Sequence, residues 1–241
     1  MLIVTSHTRR RFLHGLTLGV AALSAPGVFA QQLSETATTT EGPFYPDKMP
    51  LDTDNDLIII NDALTPGVGE ITHLTGRVLS ASGQPVRNAF VEIWSADNTG
   101  SYVHTGGRQP SGHDGNFQGY GRYLTDVKGQ YYFRTIKPVE YTLLNIFRTA
   151  HIHVALSRNG RRVFTTQMLV NGHPGNARDA LTLRMEKKAL QTIMVDFKPL
   201  PGSKLGELTA NFDIVLGRTA SDVVEEGKPK GVAKSAVQNR G

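Results

Sequence analysis

From Ile71 onward, apolar and polar positions alternate in short runs that are broken at regular intervals by turn residues. Ile71 to Leu79 reads as a strand, closed by Ser80-Ala81-Ser82-Gly83-Gln84-Pro85, and Val86 to Trp94 as the next, closed by Asp97-Asn98-Thr99-Gly100. Arg122 to Thr125 and Gln130 to Ile136 flank Asp126-Val127-Lys128-Gly129, a hairpin signal, and Ala150 to Leu156 and Arg161 to Val170 flank a second one at Ser157-Arg158-Asn159-Gly160-Arg161. Thr192 to Phe197 and Leu208 to Leu216 complete the series. Roughly eight short strands at this spacing predict an all-β fold, a β-sandwich, with a short helical segment near Ala177 to Leu190.

The flanks follow other patterns. Residues 31–70 form an irregular N-terminal arm, in which Pro43 and Pro46 forbid a regular helix or a central strand. The sandwich domain is expected over 71–218, and a disordered tail over 219–241, where large apolar residues are too few to offset the ordering entropy. Residues 1–30 read as a twin-arginine signal peptide. Thr8-Arg9-Arg10-Arg11-Phe12-Leu13 precedes an apolar run from Leu16 to Ala25, and Val28-Phe29-Ala30 offers a small-residue cleavage site. That run falls short of the ~20 residues a spanning helix needs. The expectation is therefore export to the periplasm or beyond, with no stable membrane insertion once the signal is removed.

Charge changes little in this picture. The chain of 241 residues carries a formal +5, but the leader holds three arginines and no acid, so the remainder has 23 basic and 21 acidic side chains. Without a dense basic stripe interleaved with aromatics, nucleic acid is not an expected partner. Cysteine is absent, which excludes disulfides, thiolate ligands and a cysteine nucleophile. Any metal must be held by oxygen or nitrogen.

Six histidines follow the leader, and only His151 and His153 stand two apart in a strand pattern. Residues i and i+2 of a strand share a face, so both imidazoles can reach one ion, although two packed core histidines would give the same spacing. Carboxylates are scarce between residues 98 and 150, whereas tyrosines are concentrated there. Tyr102 and Tyr141 differ from the others in falling outside the strand patterns, each just after a turn, where functional side chains gather.

Four segments together carry a resemblance: T-E-G-P-F-Y-P at 40–46, G-Q-P-V-R-N-A-F-V-E-I-W-S-A-D-N-T-G-S-Y at 83–102, G-R-Y-L-T-D-V-K-G-Q-Y-Y-F-R-T-I-K-P at 121–138 and R-T-A-H-I-H-V at 148–154. In these the chain resembles the intradiol ring-cleavage dioxygenases, most closely their protocatechuate 3,4-dioxygenase branch, over about residues 38 to 216. The resemblance implies a mononuclear non-haem Fe(III) held by Tyr102, Tyr141, His151 and His153. It also implies an active-site arginine at Arg148 and an active-site glutamine at Gln167. The implied partners are a catechol and dioxygen, and the implied product is a cis,cis-muconate type diacid. Tyr141 is expected to act as the general base. A hard ferric ion suits phenolate oxygen and lowers the phenol pKa enough for tyrosinate ligation at neutral pH. The family often forms oligomers, so a homo-oligomer is expected without a subunit number.

The segment Val139 to Phe147 departs from the family pattern. Only nine residues separate Tyr141 from His151, and no carboxylate-binding residue can be assigned. Two other readings stay open on sequence. One is a non-catalytic transthyretin-like or adhesin-like module, suggested by residues 76–94. The other is a cupin-like zinc or ferrous enzyme, in which His104 or His113 would complete the site.

Overall fold

The computed structural model describes residues 33–217. The expected leader, 1–30, and tail, 219–241, lie outside the described residues. Two five-stranded sheets face each other as an all-β sandwich. One is built around β1 (Ile71–Ser80), which pairs antiparallel with β4 (Gln130–Ile136) on one side. On its other side β1 pairs in parallel first with β11 (Leu208–Asn211) and then with β12 (Ile214–Leu216), while β10 (Phe197–Pro199) extends that edge. The second sheet runs in the order β3 (Tyr120–Leu124), β2 (Phe90–Trp94), β7 (His151–Arg158), β8 (Arg161–Val170), β9 (Met194–Val195).

The core forms where the period-2 faces of the two sheets meet. Leu74 and Val78 of β1, with Tyr131 and Phe133 of β4, pack in one apolar cluster with Val91 and Ile93 of β2 and Ile152, Val154 and Leu156 of β7. The outward face of the second sheet therefore carries Glu92 and Trp94 from β2, and His151 and His153 from β7. These residues are buried too, at 2% exposure or less, because the arm crosses this face. Burial on both faces is why β7 reads as an almost continuous apolar run. The arm has no named strand, but Leu57 and Ile58 sit fully in the core, and the Leu57 amide donates to the Arg134 carbonyl at 2.8 Å.

The strand pattern read from the sequence is corrected at three places. The expected hairpin at Asp126–Gly129 is a corner between the sheets, since β3 pairs with β2 and β4 with β1. The turn chemistry itself is present: the Asp126 side chain accepts from the Lys128 and Gln130 amides, each at 2.8 Å. The Leu208–Leu216 run is two strands, because at its middle Phe212 turns its carbonyl to the Tyr131 hydroxyl and Asp213 accepts from Arg77 instead of continuing the ladder. The Thr192–Phe197 run likewise splits, one part going to each sheet. Among the described residues there are twelve strands, against the roughly eight read from the sequence.

The helical segment is reduced to two 3-10 turns, Pro174–Ala177 and Thr182–Arg184, and one five-residue helix, Lys187–Gln191. The Asp179 carboxylate takes the Leu181 and Thr182 amides, diverting backbone donors that a continuous helix would use.

Candidate active site

The strand pairing that builds the second sheet also builds the site. In register, Trp94 lies opposite His153, and His153 opposite Gln167. A small hairpin of β5 (Tyr141–Leu143) and β6 (Ile146–Arg148) closes one side and places Tyr141 opposite Arg148. Its turn is Leu144-Asn145, both at positive φ (52° and 62°), the conformation of a two-residue type I′ turn. Tyr141 therefore begins a strand, contrary to its sequence reading as a loop residue. Tyr102 does occupy a loop and is fully buried.

All six residues singled out in the sequence meet here. His151 Nε2 lies 3.2 Å from His153 Nε2 and 3.2 Å from the Tyr102 hydroxyl, which lies 3.3 Å from the Tyr141 hydroxyl. Donors bound ~2.0–2.1 Å from one ion, at angles of about 90–110°, stand roughly 2.8–3.4 Å apart. The spacing of these two nitrogens and two oxygens thus fits a shared metal ion. Among the described residues, no group of three or more His, Cys, Asp and Glu is arranged to hold a metal. The cupin-like reading requires such a group, and His104 instead caps a 3-10 turn through the Gly106 amide.

Electrostatics prepare the two donor types differently. Burial holds the His151 imidazole down to about 3, with the Arg148 charge adding to the effect. Burial likewise keeps His153 well below its ordinary value, with His151 and Arg148 adding to the effect. Both rings are therefore neutral and present lone pairs. Burial pushes the Tyr102 phenol well above its usual value and raises Tyr141 as well, whereas Arg148 lowers both. Only a nearby cation of high charge reverses that burial cost and leaves phenolates. The donor set is therefore suited to a hard, highly charged metal.

Arg148 is fixed at two points. Its Nε donates to Asp179 at 2.9 Å, and its Nη2 to the Gln167 side-chain oxygen at 2.5 Å. Gln167 in turn donates to the Thr40 carbonyl at 2.9 Å, so both ends of its amide are engaged. Asp179 was missed in the sequence, where a lone acid between Arg178 and Ala180 gives no signal. It is fully buried and also accepts from the Thr149 amide at 2.8 Å. Burial opposes its ionisation, but the Thr149 amide and the Arg148 guanidinium hold its carboxyl below the usual range. Beside Arg148 opens a cleft of about 430 Å³, lined by Thr38, Thr39, Thr40, Arg148, Ala180, Leu181, Arg184 and Met185. That volume is within the ~300–1,000 Å³ of small-molecule pockets.

Known proteins resemble this chain in sequence and fold. A family profile described as "Dioxygenase" matches residues 40–217. The protocatechuate 3,4-dioxygenase beta chain of Burkholderia cepacia is 39% identical over 160 residues, which cover 64% of this chain and 68% of that one. The catechol 1,2-dioxygenase of Acinetobacter baylyi is 36% identical over 153 residues; the match covers 58% of this chain and 47% of the relative, so the chain spans about half of that protein's length. Among solved structures, the dioxygenase domain of a dioxygenase–carbohydrate-binding protein fusion from the cellulolytic bacterium Streptomyces sp. SirexAA-E superposes with a TM-score of 0.56 at 25% identity. It covers 77% of this chain and all of that one. With the sandwich, the donor cluster and this match over most of the chain in agreement, the chain belongs to the intradiol ring-cleavage dioxygenases.

Proposed function

We propose that this chain cleaves a catechol-type ring with dioxygen between its two hydroxylated carbons, at a mononuclear ferric centre held by Tyr102, Tyr141, His151 and His153. The observation that carries this reading is the spacing of the four donor atoms, 3.2, 3.2 and 3.3 Å along the chain of contacts, between neutral imidazoles and buried phenols. Bound there, ferric iron supplies a Lewis acid that activates a catecholate toward dioxygen and keeps the ligand phenols ionised.

The protein's own groups divide the remaining work. Tyr102, fully buried and packed by Phe44 at 5.1 Å, is the fixed phenolate. Tyr141 sits on the short hairpin and is less enclosed, at 7% exposure. As a phenolate its oxygen would accept a proton from a substrate hydroxyl and become the neutral phenol, which makes it the general base. Arg148, whose charge already acts on Tyr102, Tyr141, His151 and His153, stabilises negative charge developing on the ring. Gln167, spent at both ends on Arg148 and Thr40, orients that guanidinium and does not itself grip the substrate.

Turnover under ¹⁸O₂ tests the reaction class. Mass spectrometry should find both labelled atoms in an acyclic muconate-type diacid. A single labelled atom, or a product retaining the ring, would sink the reading. The leader supports action outside the cytoplasm, on a catechol met in the periplasm or beyond. Replacing Arg9 and Arg10 with Lys should then retain the protein inside the cell, and unchanged export would refute that location.

A further inference from the structure

The two histidines of the site are held in different ways. His151 donates from Nδ1 to the Thr149 carbonyl at 2.6 Å, which turns Nε2 toward the other donors. A metal-binding imidazole is normally fixed by such a bond on its second nitrogen. His153 is equally buried, at 1% exposure, yet its Nδ1 has no hydrogen-bond partner among the described residues. Something other than a hydrogen bond must set the angle of this ring.

An aromatic stack occupies that role. Trp94, directly opposite His153 in the β2–β7 register, lies 4.9 Å from the His153 ring at an interplanar angle of 8°. Tyr45 of the arm meets Trp94 edge-on at 5.0 Å and 83°. Its hydroxyl donates to the buried Glu92 carboxylate at 2.8 Å. Tyr120, Ser157 and Arg162 also donate to Glu92, at 2.7, 3.1 and 3.2 Å, and Arg162 ties back to Glu41 of the arm at 2.7 Å. Between these anchors the arm passes close over the histidine. Gly42 has φ +73°, and a Cβ there would stand 3.0 Å from His153 Cε1.

We propose that Trp94, held by Tyr45 and the Glu92 anchorage, is a positioning residue for His153. Its flat stacking does for His153 what the Thr149 carbonyl does for His151. Coplanar contact lets the imidazole slide in its plane but resists rotation about Cβ–Cγ, which holds the plane in which Nε2 lies. With no acceptor at Nδ1 among the described residues, the ring is held by packing: Trp94 lies flat on it, while Tyr102 and His151 meet it edge-on at 5.9 and 4.8 Å. The arm is thereby part of the metal site, although it supplies none of the four donors. This inference rests on the reading of His153 as a metal ligand.

The test compares iron affinity by chelator competition, and the tyrosinate-to-iron absorption band, in the wild type, Trp94→Leu, Trp94→Phe, Tyr45→Leu and Val91→Ala. Val91→Ala removes a core-facing side chain from the same strand and reports simple destabilisation. The expected results are a roughly 10–100-fold loss of iron affinity and a shifted band for Trp94→Leu, the range seen when outer-shell support of a ligand is removed. Substantial recovery is expected in Trp94→Phe, and a smaller loss with a shifted band in Tyr45→Leu. Val91→Ala should melt earlier yet keep the wild-type affinity and band.

If the wild type itself shows no such band, the ferric-tyrosinate reading fails, and this inference falls with it. If the wild type shows it but Trp94→Leu and Tyr45→Leu match the wild type, the positioning role alone is overturned. It is also overturned if Val91→Ala loses as much affinity as Trp94→Leu. Should Trp94→Leu fail to fold, Tyr45→Leu decides, because Tyr45 lies at the half-buried edge of the stack. An affinity loss with a shifted band supports the proposal, and wild-type behaviour refutes it.

Discussion

Tyr141→Phe should leave a folded protein that binds iron, has lost a large part of its visible absorption, and turns over its catechol about 10²–10⁴-fold more slowly, the range expected for loss of a general base. The substitution removes one oxygen and keeps the ring. That ring packs against Tyr102 at 5.6 Å and against His151 at 5.7 Å, contacts a phenylalanine preserves. The lost hydroxyl stands 3.3 Å from the Tyr102 hydroxyl, so a donor atom goes while the packing stays. Absorbance and oxygen uptake on the same preparation separate the two roles assigned to Tyr141. A variant with the wild-type spectrum would remove it from the ligand set. A variant with an altered spectrum but full turnover would keep it as a ligand and remove it as the base.

Arg148→Gln should lower kcat about 10²–10³-fold, as removing a preorganised charge-stabilising donor does, with a smaller change in KM. Asp179→Asn should move kcat in the same direction by less, because the guanidinium stays but loses its 2.9 Å anchor. The two variants also differ in their pH behaviour. The folded-state Asp179 carboxyl is held below its ordinary value, so its stabilising contribution is fully present above the unfolded carboxylate range. It is lost as the pH falls through the lowered folded value. The Asp179→Asn penalty should therefore be complete at pH 7, roughly 2 kcal/mol for a buried carboxylate whose donors lose their acceptor, and should shrink steadily in acid. Urea midpoints at pH 7 and pH 3 measure it. A penalty that does not change with pH would contradict the assignment of an ionised Asp179, and an unchanged kcat in Arg148→Gln would remove the arginine from the chemistry.

The sandwich was legible because period-2 alternation and turn residues are local signals. β4 and β8 have the bounds read from the sequence, and the Asn159-Gly160 turn between β7 and β8 is a hairpin as expected. What failed depended on partners distant in sequence. Asp126–Gly129 has the chemistry of a tight turn, but whether it joins two strands of one sheet or two sheets is settled by where β1 and β2 lie. The run from Leu208 to Leu216 breaks because the Tyr131 hydroxyl and Arg77 draw Phe212 and Asp213 out of the ladder. The hairpin carrying Tyr141 was hidden because its turn has no glycine: Leu144 adopts a positive φ that its sequence does not advertise.

In the site, the His-x-His spacing and the family motifs named six residues: the four donors form one set in mutual contact, and Arg148 with Gln167 forms a second, with Arg148 opposite Tyr141 and Gln167 opposite His153 in strand register. The residues that hold them were not legible. Asp179 reaches Arg148 across 31 positions, Glu92 reaches Tyr45 across 47 and Arg162 across 70, and Trp94 reaches His153 only through strand register. Such pairings exist only once the sheets have formed. The short Val139 to Phe147 segment, a departure from the family pattern, folds into the hairpin that brings Tyr141 opposite Arg148.

The absorption spectrum of the iron-loaded protein, recorded before and after anaerobic addition of a catechol, tests the central claim most directly. Two tyrosinate ligands on ferric iron should give a red-brown protein with a broad visible band. That band should change on binding the catechol and return as dioxygen is admitted and consumed. A protein that binds iron with full occupancy and stays colourless would contradict the account.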